Sequence, residues 1–235
     1  MDAMDEPGSI GPAGAPVGRR VVLGLVGLGA AGVVGGASFS RRLSDWLAPA
    51  ELHDPTGLLS TLPVGPAFRY YSVTGGVPRR NEQSYRLRVD GLVAQPATYR
   101  LSDLHALPQT TFTSDFHCVT GWSVPGVEWS GVPLSELLDR AEPAASARAV
   151  RIRSFDGTYT ESLSIEDARL PHVVVALRML GGPVSHDHGG PVRMYVDGHY
   201  GYKSTKWLSG IELTEREVPG YWERRGYPLE GTIGE

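Results

Sequence analysis

The sequence of 235 residues contains a single cysteine, Cys118. One thiol excludes an intrachain disulfide and any zinc site built on a cysteine pair. Bases are in the minority too: 22 Lys and Arg stand against 26 Asp and Glu, for a formal net charge of −4. No global positive field draws nucleic acid, and any anion has to be held by a local cluster. The 30 Gly and 18 Pro follow no Gly-X-Y period, and 41% hydrophobic residues with 9% aromatics suffice for a core. Collagen-like and wholly disordered chains are thereby excluded. There is no internal repeat and no GxxxxGK[ST] phosphate loop. The chain is long enough for one sizeable core, and its Gly and Pro content predicts short elements and many turns.

Long uncharged runs occur in one place. Residues 1–18, rich in Gly, Pro and Ala, read as a disordered leader. Residues 19–42 open with Arg19-Arg20 and close with Arg41-Arg42 around VVLGLVGLGAAGVVGGASFS. A helix of about 20 residues at ~1.5 Å per residue just spans a bilayer core. The arginine pair, the apolar run and the small residues Gly36, Ala37 and Ser38 resemble a twin-arginine export signal, either cleaved or kept as a single membrane anchor. The expected location is extracytoplasmic or membrane-anchored. Residues 43–68 read as a linker, and 69–235 as one folded domain.

Within that domain, Tyr85, Leu87 and Val89 alternate with Ser84, Arg86 and Arg88, a period-2 strand closed by Asp90-Gly91. Ser102 is placed to cap a short helix carrying Leu104 and Leu107. TTFTSDFHC reads as a strand entering a loop at Cys118. PLSELLDRA, with Pro133 in the first turn and Leu134, Leu137 and Leu138 on one face, is the strongest helix. AVRIRSF, YTESL, VVVAL, PVRMYV and GIEL are strand candidates, and Ser164 with Asp167 begins a further short helix. Short strands and helices in mixed order predict an α+β fold, not repeated βαβ winding.

Four segments carry chemistry. HCVTGW (117–122) sets a thiol at a strand-to-loop junction, where a thiolate ligates soft or high-valent metals; the alternative is a small buried hydrophobe. In HDHGGPVR (186–193) the two histidines lack further ligands at zinc spacing, whereas Gly189, Gly190 and Pro191 form a turn whose amides could approach an anion beside Arg193. HYGYKSTKW (199–207) offers Lys203, Lys206, Ser204 and Thr205 as a phosphate cradle, with Gly201 admitting close backbone approach. RIRSFDGTYTES (151–162) presents an Asp156-Gly157 hairpin turn near Ser154 and Tyr159.

Taken in order, these segments resemble the molybdopterin-binding domain of the sulfite oxidase family, in particular its exported bacterial branch of periplasmic methionine sulfoxide reductases. The resemblance runs from about Phe68 to Glu215. It implies a mixed-sheet fold and a molybdenum-molybdopterin cofactor. Cys118 is then the protein ligand of molybdenum beside the two dithiolene sulfurs. The family's cofactor contacts map to Ser154, Arg193, Ser204, Thr205 and Lys206, with Arg69, Ser72 and Val73 as matches for its N-terminal contact. Where the family has an asparagine, this chain has His188, which when neutral offers one donor and one acceptor. His117, Asp115, Tyr202 and Trp122 flank these positions and are expected to face the reacting group.

The resemblance further implies two-electron oxygen-atom transfer on a small sulfur-containing substrate, with electrons exchanged with a redox partner such as a membrane haem protein. The short stretch after GIEL leaves no room for an immunoglobulin-like dimerisation domain, so a monomeric catalytic subunit is expected. Two rivals remain at this point: a cofactor-free exported binding domain with Cys118 in its core, and a cysteine hydrolase pairing Cys118 with a histidine. Adjacent strand residues point to opposite faces, which argues against His117 as that partner.

Overall fold

A computed structural model describes residues 68 and 71–234. The leader, the twin-arginine segment, Arg69 and all of the linker except Phe68 lie outside the described residues. Two sheets, the first mixed and the second antiparallel, are built from β1 (Leu87–Gly91), β2 (Ala97–Tyr99), β3 (Thr110–His117), β4 (Ser123–Pro133), β5 (Ala149–Ser154), β6 (Thr160–Ser164), β7 (Val173–Met179), β8 (Gly182–Pro183), β9 (Arg193–Val196) and β10 (Leu208–Thr214). The first has the order β2-β1-β10-β5-β6 with β1 and β10 parallel. The second has the order β3-β4-β7-β8, with β9 also paired to β7. Helices are few and short: α1 (Leu101–Ala106) and α2 (Leu134–Ala141), with 3-10 turns at Asp167–Arg169 and Glu223–Arg225. This is the mixed α+β arrangement expected.

Strand period decides where the cores lie. Along β7, Val173, Val175 and Leu177 join a large cluster with Leu87, Val89, Ile152 and Ile211 of the first sheet. Val174 and Ala176, pointing the other way, join a second cluster with Phe116, Trp129 and Tyr195, and Met179 joins it beyond the register shift between Ser130 and Gly131. The uninterrupted apolar run VVVAL is thus a strand buried on both faces. Helix α2 turns Leu134, Leu137, Leu138 and Ala141 into the large core at the i, i+3, i+4, i+7 spacing.

Two local expectations change, and one strand is not foreseen. Helix α1 is capped at Arg100, whose amide donates to Asp103 Oδ2 at 2.8 Å, so Ser102 lies inside the helix and Leu107 just beyond it. Pro133 precedes α2 as its cap residue. The eleven-residue β4, SVPGVEWSGVP, carries no simple alternation, because its register shifts against both β3 and β7. Gly131 lies where any Cβ would collide with the Val175 carbonyl, so the β4–β7 approach requires glycine there. Among the described residues, no helix is long and apolar enough to cross a membrane.

Candidate active site

The β3–β4 hairpin closes on a tight loop in which the Cys118 amide donates to the Trp122 carbonyl at 2.8 Å and the Gly121 amide to Cys118 O at 3.0 Å. Cys118 is half-buried and lines a cavity of about 500 Å³, within the range of small-molecule sites. Its Sγ lies 3.1 Å from Thr120 Oγ1. Around it stand Phe68, Phe116 and Trp122, with ring centroids 4.7 to 6.0 Å apart.

The same cavity is lined by two cations, Arg193 and Lys206. Arg193 opens β9 only 2% exposed, between the rings of Phe116 and Trp129 at 5.7 and 5.3 Å. Its guanidinium donates to the carbonyls of His188 (2.8 Å), Ser204 (3.2 Å) and Met194 (3.4 Å). Among the described residues it forms no ion pair with a carboxylate. Burial lowers it to about 10, against which Tyr195 and Tyr159 act. Lys206 donates to the Tyr71 carbonyl and lies over the Trp207 ring at 4.9 Å. Burial and the Arg193 charge lower it to about 7, with Asp156 and Asp187 opposing. Burial, Arg193 and Lys206 lower His188 to about 4, so its imidazole is neutral near pH 7.

The backbone is shaped to keep Lys206 there. Gly189, at φ +101°, passes so close that a Cβ would sit 2.6 Å from the Lys206 stem. Trp207 adopts φ 53°, a left-handed conformation uncommon for a bulky residue. It is fixed by its amide donating to Gly189 O and its indole to His186 O, both at 2.8 Å.

The structure therefore brings Cys118, His188, Arg193, Ser204, Lys206, Tyr202, Trp122 and Val73 to one cavity. Arg69 lies outside the described residues. His117, Asp115, Ser72, Ser154 and Thr205 are not among the lining residues. Asp115 Oδ1 accepts from the Gly126 amide, Ser72 Oγ faces Thr74, and Ser154 Oγ accepts from the Asp156 amide. His117 lies between two lining residues, Phe116 and Cys118, and its carbonyl accepts from the Gly201 amide. Tyr202 lines the cavity with its hydroxyl committed to Pro228 O at 2.8 Å. Lys203 points elsewhere, into a buried cluster with Glu161 and Glu223.

The expected anion-binding amides are also committed. Those of His188, Gly189 and Gly190 close nested turns onto Ser185 and His186 carbonyls, and those of Gly201, Ser204 and Thr205 donate to other carbonyls. The positive character of the cavity comes from side chains. Sequence reasoning passed over Phe68, Tyr71, Trp222 and Tyr227 as lining groups, since none sits in a segment with a chemical signature. Asp156, read only as a turn residue, also lines the cavity; its Oδ1 accepts from the Thr158 and Tyr159 amides at 2.8 Å, while its buried Oδ2 has no protein partner.

The model of the oxidoreductase molybdopterin binding domain family matches residues 74–222. The chain belongs to that family. It is 35% identical over 159 residues to the oxidoreductase YuiH of Bacillus subtilis, covering 67% of this chain and 80% of YuiH. The protein-methionine-sulfoxide reductase catalytic subunit MsrP of Ralstonia nicotianae is 33% identical over 153 residues, covering 59% of this chain and 46% of MsrP. Among solved structures, the sulfane dehydrogenase SoxCD of Paracoccus pantotrophus superposes with a TM-score of 0.57 at 25% identity over 63% of this chain and 42% of that one. The chain thus spans under half the length of MsrP and of the SoxCD chain.

The residues present fit the family's cofactor. Buried Arg193 lacks a carboxylate partner and, with Lys206, suits a terminal phosphate. The unpartnered Asp156 Oδ2 suits an N–H donor of a pterin edge. Among the described residues no three His, Cys, Asp or Glu side chains are grouped to hold a metal, and a metal held by Cys118 would take further ligands from the cofactor's dithiolene.

Proposed function

We propose that this domain is a molybdenum-molybdopterin oxidoreductase that reduces a neutral sulfoxide-type substrate, with Cys118 as the protein ligand of molybdenum. When bound, the cofactor supplies two-electron oxygen-atom exchange. The balance is one sulfoxide, two electrons and two protons giving one thioether and one water, the electrons coming singly from a redox partner. A membrane haem protein suits that role.

The observation that carries this reading is the make-up of the cavity lining. Arg193 and Lys206 are the Arg and Lys side chains among the described residues that line it, and a cofactor phosphate would claim both. Cys118 shares the cavity with the rings of Phe68, Phe116 and Trp122. An anionic substrate such as sulfite would need a positive group that the phosphate has not already claimed. A neutral sulfur compound gains instead from aromatic contact with its sulfur and from the exclusion of water. The match to MsrP supports the same direction of reaction. Against the hydrolase reading, the hydrogen-bonding neighbour of Cys118 Sγ is Thr120, not an imidazole.

The test is steady-state turnover of cofactor-loaded protein with an artificial electron donor and sulfoxides, and with an acceptor and sulfite. Sulfoxide reduction with kcat/KM at least about tenfold above sulfite oxidation is expected. The reverse preference contradicts the assignment. We further propose that residues 19–42 direct export by the twin-arginine route, which the Arg19-Arg20 pair and its apolar run support.

A further inference from the structure

The segment after β10 crosses back over the domain and lays Trp222 and Tyr227 along the cavity. Its fixings are specific. The Tyr221 amide donates to the Thr160 carbonyl at 2.9 Å, and the Val218 amide to Ser162 Oγ at 3.2 Å. Farther on, the Tyr200 amide donates to Gly231 O and the Ile233 amide to Gly198 O. At the centre is Lys203, only 1% exposed, whose Nζ donates to Glu161 Oε1 (2.8 Å), Ser162 O (2.6 Å), Glu223 Oε1 (3.1 Å) and Leu229 O (2.7 Å). Two of these acceptors belong to β6 and two to the C-terminal segment, so one ammonium ties the two together.

Such a group is costly to bury unless every donor is matched. Burial and the adjacent Glu223 carboxyl push Glu161 well above its ordinary value. Burial also raises Glu223, but hydrogen bonding from Glu161 and the Lys203 charge outweigh it and hold Glu223 below its ordinary value. Both carboxyl groups face the same buried ammonium. Lys203, Glu161 and Glu223 do not line the cavity, but the segment they hold carries aromatic rings that do: Trp222 packs on Tyr227 at 5.2 Å and on Tyr71 at 6.0 Å, and Tyr227 on Tyr202 at 5.5 Å.

We propose that Lys203, Glu161 and Glu223 are positioning residues that latch the C-terminal segment as the aromatic wall of the cavity and thereby set the size of substrate it admits. The size-selection half rests on the cavity being the reaction site; the latch half does not. Trypsin provides a direct readout, because Arg224 and Arg225 lie within the latched turn and follow Glu223. Cofactor-free full-length protein is digested under native conditions and the cleavage sites are mapped by mass. Glu223→Ala is expected to speed cleavage after Arg224 and Arg225 by about tenfold while circular dichroism stays unchanged. Glu223→Gln, which keeps an acceptor for Lys203, is expected to stay protected.

In loaded enzyme, Glu223→Ala is expected to lower KM for a bulky aryl sulfoxide relative to dimethyl sulfoxide, with kcat for the small substrate changing little. Equal cleavage of wild type and Glu223→Ala overturns the latch. Faster cleavage with unchanged discrimination between the two sulfoxides overturns the size-selecting role. If no sulfoxide is turned over by wild type, the substrate assignment and the size-selecting role fall together, and the digestion still decides the latch by itself.

Discussion

Arg193 is a buried cation whose partners are carbonyl oxygens and aromatic faces, an arrangement that a phosphate would complete. Because no carboxylate depends on it, Arg193→Ala leaves no orphaned charge behind. It should fold, and the fraction of chains that retain pterin should drop by about tenfold or more, measured by fluorescence of the oxidised pterin released on denaturation. Lys206, lowered to about 7 by burial and Arg193, regains its proton when an anion binds. Binding of inorganic pyrophosphate to cofactor-free protein should therefore tighten as pH falls from about 9 towards 7, with proton uptake measurable by calorimetry in buffers of different ionisation enthalpy. For His188, lowered from 6.5 to about 4, the unfolded chain takes up the proton first, so its contribution is fully present above 6.5 and is lost as pH falls towards 4.

Cys118, Arg193, Lys206 and His188 were legible because each sits in a segment whose residue types imply a chemistry. Lys203 was not distinguishable from Lys206: both lie in one irregular turn, and only the three-dimensional path sends one to the cavity and the other to Glu161 and Glu223. Asp156 was visible as a turn residue, but the orphan oxygen that suits it for a ligand is a property of the folded loop.

At the scale of elements, periodicity served well wherever an element has one face. The leucines of α2 and the alternation of β1 are read directly, and VVVAL announces a strand buried on both sides. Strand β4 escaped because it changes register against both neighbours, so its buried positions follow no single period, and Pro125, Gly126 and Gly131 look like breaks. Gly131 tests this explanation. Gly131→Ala pushes a methyl into the Val175 carbonyl and should cost about 1–3 kcal/mol, read from urea unfolding. Leu137→Ala in α2, a clean deletion from the large core, should cost about 2–5 kcal/mol by the same measurement.

For the whole molecule, the acidic balance that argued against polyanions is compatible with one buried phosphate, since Arg193 and Lys206 act locally and are shielded from the acidic exterior. If residues 19–42 act as proposed, replacing Arg19 and Arg20 by lysine should leave folded, cofactor-loaded protein in the cytoplasm, assayed by fractionation. The family follows from the match over residues 74–222, and the proposed cofactor site rests on Cys118, Arg193 and Lys206 lining one cavity. The central claim is that this thiol ligates molybdenum. Molybdenum X-ray absorption of loaded wild type and Cys118→Ser tests it most directly: the account predicts one sulfur fewer at the metal in the variant, and an unchanged sulfur count, or wild-type protein that takes up no molybdenum, would contradict it.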